Sequence, residues 1–190
     1  MENRRPLHHR ADLVSLPIAV TDRVTLRQWR TSDAVALVEE ANSRDVWRNL
    51  IHTFPHPYTN DDAIAWIERC RAQDPPRDIV IAGDDRLIGA CGVTLGSGVS
   101  VYTGSVGYWL GESHWGNGIA TAVFGVFLGY IWDTFQVERL QAEVFAWNPA
   151  SIRVLEKNGF QKEGTRRSAI YKDGELIDES FFSLLRSEVE

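Results

Sequence analysis

Apolar and polar positions alternate with a period near two across "AVTDRVTLRQW" (19–29), which predicts a strand. "TSDAVALVEEAN" (31–42) instead spaces its apolar residues at helical intervals behind Thr31 and Ser32, two helix-capping residue types. "SRDVWRNL" adds a second short helix. "FPHPY" (54–58) interrupts regular structure, because Pro55 and Pro57 fix φ and remove two backbone donors. Thr59 and Asp62 then make the Thr-x-x-Asp pattern of a capping box, opening a helix that runs to about Arg71.

The pattern turns strand-like again over "RDIVIAG" (77–83) and "RLIGACGVTL" (86–95), with Asp84-Asp85 as the hairpin turn between them. After the turn "GSG" (96–98), "VYTGSVGYWLG" (101–111) reads as a strand, and an apolar helix is expected from about Gly116 to Phe135. "RLQAEVFAW" (139–147) is a strand. "NPASIRVLEKNGF" (148–160) is a helix with Pro149 at its first position and Gly159 at its stop. "TRRSAIYKDGELIDESFFSLL" divides at Asp173-Gly174, the strongest short hairpin signal in the chain. Strands joined by short turns pair antiparallel, whereas the strand–helix–strand unit at 101–147 requires a parallel pair. The expected class is therefore α/β (α+β): a mixed, mostly antiparallel seven-stranded sheet with helices on both faces.

Composition narrows this picture. The 190 residues fit one domain, read as residues 18–190 behind an N-terminal leader at 1–17. The leader has basic residues but no continuous apolar stretch, so it does not read as a signal peptide. No run of about 18 apolar residues occurs, so no membrane partner is expected and a cytoplasmic location follows. The formal charge of −6 argues against a general nucleic-acid footprint and suits an amine substrate. Cys70 and Cys91 lack CxxC spacing and are expected to be buried, reduced thiols. His8-His9 has no cysteine or acidic cluster near it, so no metal site is expected.

The candidate chemistry lies at Trp115-Gly116-Asn117-Gly118-Ile119-Ala120, where a strand passes into a helix. Unpaired N–H groups at a helix start carry part of the dipole's positive end, and glycine lets a phosphate approach them. A plain helix entry needing conformational freedom is the competing reading. A dinucleotide fingerprint would need glycine at 121, where Thr121 stands, and no Lys-Ser/Thr pair follows the glycines as a P-loop requires.

"GYWLGESHWGNGIATAV" followed by "RLQAEVFAWNPASIRVLEKNGFQKEGT" resembles the GNAT acetyltransferases, nearest to the RimJ/RimL type that acetylates N-terminal amines of ribosomal proteins. "LRQWRTSDAVALVEEAN" and "FPHPYTNDDAIAWI" are similar to that branch too, so the resemblance covers roughly residues 18–186. It implies a GNAT fold whose parallel strand pair, 105–111 and 139–147, splays to admit the pantetheine arm of acetyl-CoA. It also implies that the main chain of Gly116, Asn117, Gly118, Ile119, Ala120 and Thr121, behind Trp115, holds the pyrophosphate. Backbone donors near Trp109, Leu110 and Gly111 would face the thioester oxygen. Asn148 is expected to contact the cofactor arm, to cap its helix, or both. Ser151 is either a general acid beside the sulfur or a plain surface or capping serine. Lys157 is either a contact to a CoA phosphate or a solvated helix charge.

On the acceptor side the resemblance makes "DVWRNLIHTFPHPY" the substrate wall, with Trp47, Phe54 and Tyr58 either lining a pocket or packing in the core. Ser105 occupies the position where many GNAT enzymes carry a catalytic glutamate. Strand alternation places Leu140, Ala142 and Val144 on the core side and Gln141, Glu143 and Phe145 opposite. Glu143 stands five residues before Asn148, where the related RimI branch has its catalytic glutamate, so it is either the base or a surface or ion-pairing carboxylate. The implied activity is direct acetyl transfer from acetyl-CoA to a primary amine, as the α-amine of a protein N-terminus. A small amine such as a polyamine or amino sugar is the alternative acceptor, and a non-catalytic acyl-CoA-binding module the alternative class. Monomer and homodimer are both compatible with the sequence.

Overall fold

A computed structural model describes residues 15–189; His8-His9 and residues 1–14 of the leader lie outside them. Eight strands form one open sheet in the order β1-β2-β3-β4-β5-β6-β8-β7. The strand expected at 19–29 is a small hairpin instead, β1 (Ile18–Ala19) and β2 (Val24–Arg27), which raises the strand count from seven to eight. The cause is local. Thr21 Oγ1 accepts from the amides of Arg23 (3.3 Å) and Val24 (3.1 Å), folding the chain back where the alternation alone would continue it.

A single 3₁₀ turn at Thr31–Asp33 leads into α1 (Ala34–Ala41). α2 (Arg44–Trp47) starts at Ser43, whose hydroxyl accepts from the amides of Asp45 and Val46. α3 (Asn60–Arg71) opens with the expected capping box between Thr59 and Asp62. β3 (Asp78–Gly83) and β4 (Arg86–Leu95) join through Asp84 and Asp85, both at positive φ, as a two-residue hairpin turn demands. β5 (Thr103–Leu110), α4 (Ile119–Thr134) and β6 (Arg139–Phe145) form the parallel crossover. α5 (Pro149–Lys157) follows, and β7 (Gln161–Lys172) and β8 (Glu175–Leu185) turn at Asp173-Gly174.

Two cores fill the faces of the sheet. Ile79 and Ile81 point to one side with Val123, Phe124, Phe127 and Ile131 of α4, while Val80 and Ala82 point to the other with Leu37, Ala41, Ala63 and Ile67 of α1 and α3. Burial on both faces explains why β3 and β4 read as nearly continuous apolar runs. Cys70 and Cys91 are free and buried, and burial pushes the Cys70 thiol up to about 12 and the Cys91 thiol well above its usual value. Arg27 and Asp33 form a buried bidentate ion pair (2.9 and 2.8 Å) that ties β2 to the start of α1, and Arg27 also donates to the Asp85 carbonyl (3.0 Å). No described helix is long and apolar enough to cross a membrane.

Candidate active site

The parallel pair is short. β5 and β6 pair only at Thr103–Arg139, Gly104–Leu140 and Ser105–Gln141. Beyond that point β5 stays paired to β4 as far as Leu110, and β6 to β8 as far as Phe145. The two strands therefore part inside the sheet and leave a slot between Val106–Leu110 and Ala142–Phe145. The Gln141 side chain donates to Ser105 Oγ (3.1 Å) where the strands separate. Ser105 thus serves as an acceptor at the fork.

Alternation decides which groups of β5 face the slot. The Gly111 amide donates to Ile88 O on β4 (2.9 Å), so the backbone of Trp109 and Gly111 faces β4. Tyr108 and Leu110, one residue out of step, present their amides to the slot. This narrows the donors expected near residues 109–111 to Leu110 and adds Tyr108. The Leu110 carbonyl is already occupied, because the Trp115 indole donates to it (2.9 Å). Trp115 therefore pins the glycine turn to the end of β5. At Gly111 the missing side chain leaves room for the Glu40 carboxylate, which a Cβ there would push aside.

The turn itself begins its helix later than the sequence suggests. Gly116 (φ 77°) and Gly118 (φ 76°) both lie in the left-handed region, so α4 starts at Ile119 rather than Gly116. Gly118 is the N-cap, and no side chain caps it. The first intrahelical bond of this turn runs from Ala122 N to Gly118 O (3.2 Å), which leaves the amides of Ile119, Ala120 and Thr121 without helical partners. A Cβ at Gly116 or Gly118 would meet nothing within 4 Å, so the space in front of these amides is open. The Asn117 side chain turns away to the Trp115 carbonyl (3.2 Å). Three free amides at the start of a 16-residue helix, beside a slot with strand donors, suit a pyrophosphate followed by an amide-bearing arm.

On β6 burial alternates as expected as far as Val144, but Phe145 at the strand's end is buried too, its ring against Trp147. Leu140, Ala142 and Val144 are buried with α4 and α5, while Glu143 stands exposed on the opposite face just past the fork. The residue as a whole is exposed, but partial desolvation of its carboxylate is the first cause that raises the Glu143 pKa, the Glu179 carboxylate the second, and the Arg166 guanidinium works against both. Arg166 is itself held by Glu179 (3.1 Å) and lies over the Phe181 ring (3.8 Å). Across the slot, Gly107 is exposed and a Cβ there would meet nothing within 4 Å. The face that carries Glu143 is thus open beside the slot.

α5 aims at the slot from the other face. The Asn148 carboxamide oxygen accepts from Ser151 N (3.1 Å), so Asn148 is the N-cap, with Pro149 at the first helical position. Ser151 Oγ accepts a hydrogen bond from the Tyr108 hydroxyl (3.2 Å), a contact that crosses from β5 to α5. Lys157 is exposed in the last turn of α5. Its neighbour Asn158 donates to the Thr121 carbonyl (3.3 Å), which brings this end of α5 to the first turn of α4. Tyr108 and Asn158 were not singled out from sequence. The Asn-Gly stop of α5 and the tyrosine at strand period were the available signals.

The acceptor wall divides. Tyr58 is buried in the core that α1 and α3 share with the sheet, and burial pushes its phenol up to about 12. Phe54 is half-buried and bridges Tyr58 (5.0 Å) and Trp109 (5.7 Å). Trp47 is half-buried, stacked on His56 (5.3 Å), with Lys172 Nζ 3.8 Å from its ring centroid. Arg44 donates to both carboxylate oxygens of Asp173 (2.9 Å each), and Arg48 lies over Trp147 (4.4 Å). The β7–β8 turn is thereby fastened to α2 across the end of β6. Among the described residues no group of three metal-ligating side chains occurs.

The sequence model of the family described as acetyltransferase (GNAT) domain matches residues 23–161. The uncharacterized N-acetyltransferase p20 of Bacillus licheniformis is 31% identical over 176 residues, spanning 88% of this chain and 96% of its own length. RimJ of Mycobacterium smegmatis, solved in complex with CoA-disulfide, has a TM-score of 0.77 at 25% identity, covering 87% of this chain and 83% of RimJ. RimL, the ribosomal L7/L12 α-N-protein acetyltransferase, solved with coenzyme A, has a TM-score of 0.77 at 19% identity and covers 89% and 97% of the two chains.

Proposed function

This chain belongs to the GNAT acetyltransferase family, and on that premise we propose that it transfers the acetyl group of acetyl-CoA directly to the α-amine of a protein N-terminus. The observation that carries the reading is the fork at Ser105 and Gln141, which opens a slot lined by strand amides and leading to the uncapped start of α4. The amides of Ile119, Ala120 and Thr121 would hold the pyrophosphate, with Lys157 near enough to that turn to meet a further phosphate. The slot-facing amides of Tyr108 and Leu110 would pair with the pantetheine arm and the thioester oxygen. Acetyl-CoA, when bound, supplies an acetyl group activated as a thioester.

The remaining chemistry belongs to the protein. Glu143 takes a proton from the incoming amine as nitrogen bonds to the acetyl carbon and the carbon–sulfur bond breaks. Ser151 gives its hydroxyl proton to the departing sulfur, and both side chains reset by exchange with water. Strand donors fixed before the reaction stabilise the charge that builds on the carbonyl oxygen, and removing one such donor costs about 10²–10³ in rate in other enzymes. The likeness to RimL, an α-N-protein acetyltransferase, supports the N-terminal acceptor.

One observation favours a smaller acceptor. The Arg44–Asp173 pair and the Lys172–Trp47 contact fasten the β7–β8 turn onto α2, and a fixed wall of this kind suits a small amine better than a peptide. Mass spectrometry of a peptide panel and a small-amine panel incubated with acetyl-CoA and the protein tests both. Acetylated peptide α-amines support the N-terminal reading, acetylated polyamine or amino sugar replaces it, and acetyl-CoA binding with no product leaves a non-catalytic binding module.

A further inference from the structure

We infer that Tyr108 is a positioning residue for acetyl transfer: its hydroxyl reaches across the slot to Ser151 and directs the serine's own hydrogen at the departing sulfur. The inference rests on the function proposed above. Tyr108 lies three residues past the last pairing of β5 with β6, where the slot is open. Its side chain is on the α4 face, opposite Trp109, and its ring packs on Phe124 (5.1 Å). That packing fixes the ring and leaves the hydroxyl at 3.2 Å from Ser151 Oγ.

A serine hydroxyl carries one hydrogen and two acceptor sites. With one acceptor site filled by Tyr108, the hydrogen has to point elsewhere. The Ser151 amide is held by Asn148, so the residue cannot drift to follow a moving partner. Burial is the main cause that holds the Tyr108 phenol above its usual pKa, so it stays protonated and able to donate at neutral pH. The tyrosine neither gains nor loses a proton in this role. It sets the direction of the one that Ser151 transfers.

The test compares wild type, Tyr108→Phe, Ser151→Ala and the double variant, with a hexapeptide bearing a free α-amine and putrescine as acceptors. Phenylalanine keeps the ring on Phe124 and removes only the hydroxyl. The loss of one hydrogen bond predicts a fall in kcat of about 3- to 10-fold, with KM for acetyl-CoA and the melting temperature unchanged. In the Ser151→Ala background the same substitution should cost nothing more, because the tyrosine then has nothing to direct. Full kcat in Tyr108→Phe overturns the inference. So do independent losses that multiply in the double variant, or a loss confined to KM for acetyl-CoA, which would make Tyr108 a wall of the slot. Wild-type protein that acetylates neither acceptor overturns the proposed function and this inference with it, whereas active wild type with an inert Tyr108→Phe change overturns the inference alone.

Discussion

At the scale of single residues, the position of Glu143 decides its chemistry. It is the most exposed residue of β6, just beyond the fork, yet partial desolvation of its carboxylate by the surrounding packed groups, followed by the nearby Glu179, raises its pKa. As the base of the proposed reaction Glu143 would work only when ionised, so wild-type kcat should fall in acid through a raised pKa. Glu143→Gln should lower kcat by about 10²-fold at neutral pH, within the range for loss of a general base, and leave CoA affinity unchanged. The deficit should shrink as pH rises, because an α-amine with an ordinary pKa of about 8 then loses its proton unaided. Stability moves the other way. The folded chain holds the Glu143 proton more tightly than the unfolded chain, so stability is lost as pH rises from the ordinary carboxylate pKa through the raised one. The Gln variant should therefore melt above wild type at neutral pH, and the two melting curves should converge in acid. Gly118 sets a second residue-scale limit. Gly118→Val forces a β-branched side chain into the left-handed region, which costs about 1–3 kcal/mol and displaces the free amides. Calorimetry should find CoA binding abolished, while Asn117→Ala, which removes only a bond to the Trp115 carbonyl, should bind almost as wild type.

At the scale of elements, Asn148 joins the fold to the site. Its oxygen caps α5 and at the same time fixes the Ser151 amide. Asn148→Ala should cost about 1 kcal/mol of stability through the lost cap. Asn148→Asp keeps a capping oxygen and adds charge beside the slot, so its melting temperature should hold while titration with CoA weakens. This local device was readable in "NPAS", as were the capping box of α3 and the hairpin turns at Asp84-Asp85 and Asp173-Gly174, because each is settled within a few residues. The fork was legible only through family resemblance, since nothing in the strand periodicity says where pairing stops. Arg44 and Asp173 are 129 positions apart, so no local pattern could join α2 to the β7–β8 turn. Tyr108 reads from sequence as a core residue, because alternation assigns its ring to the core and only its hydroxyl reaches the slot.

For the whole molecule, the buried Arg27–Asp33 pair braces the β2 side of the sheet, away from the slot. It connects β2, the entry to α1 and the β3–β4 turn through three hydrogen bonds. Removing one partner strands a buried charge, and Arg27→Ala should destabilise the protein by about 3–5 kcal/mol in urea unfolding. Replacing both residues by apolar ones of similar volume should recover most of that loss. A double variant as unstable as the single one would show that packing rather than charge pairing dominates there.

The fork also has a consequence for how the protein behaves before it meets its cofactor. Sheets normally keep bare edges at their margins, where charges and short strands discourage docking by stray chains. Here two bare edges face each other in the interior of the sheet, from Val106 to Leu110 and from Ala142 to Phe145. In the proposed binding mode the cofactor arm would act as a missing strand. Amide hydrogen exchange followed by mass spectrometry should find the slot-facing amides of Tyr108 and Leu110 quick to exchange in the free protein and protected once CoA is added, with the central β3–β4 ladder slow in both. Preparations kept without CoA should be the ones that aggregate, because an extended segment of another chain can occupy the same gap.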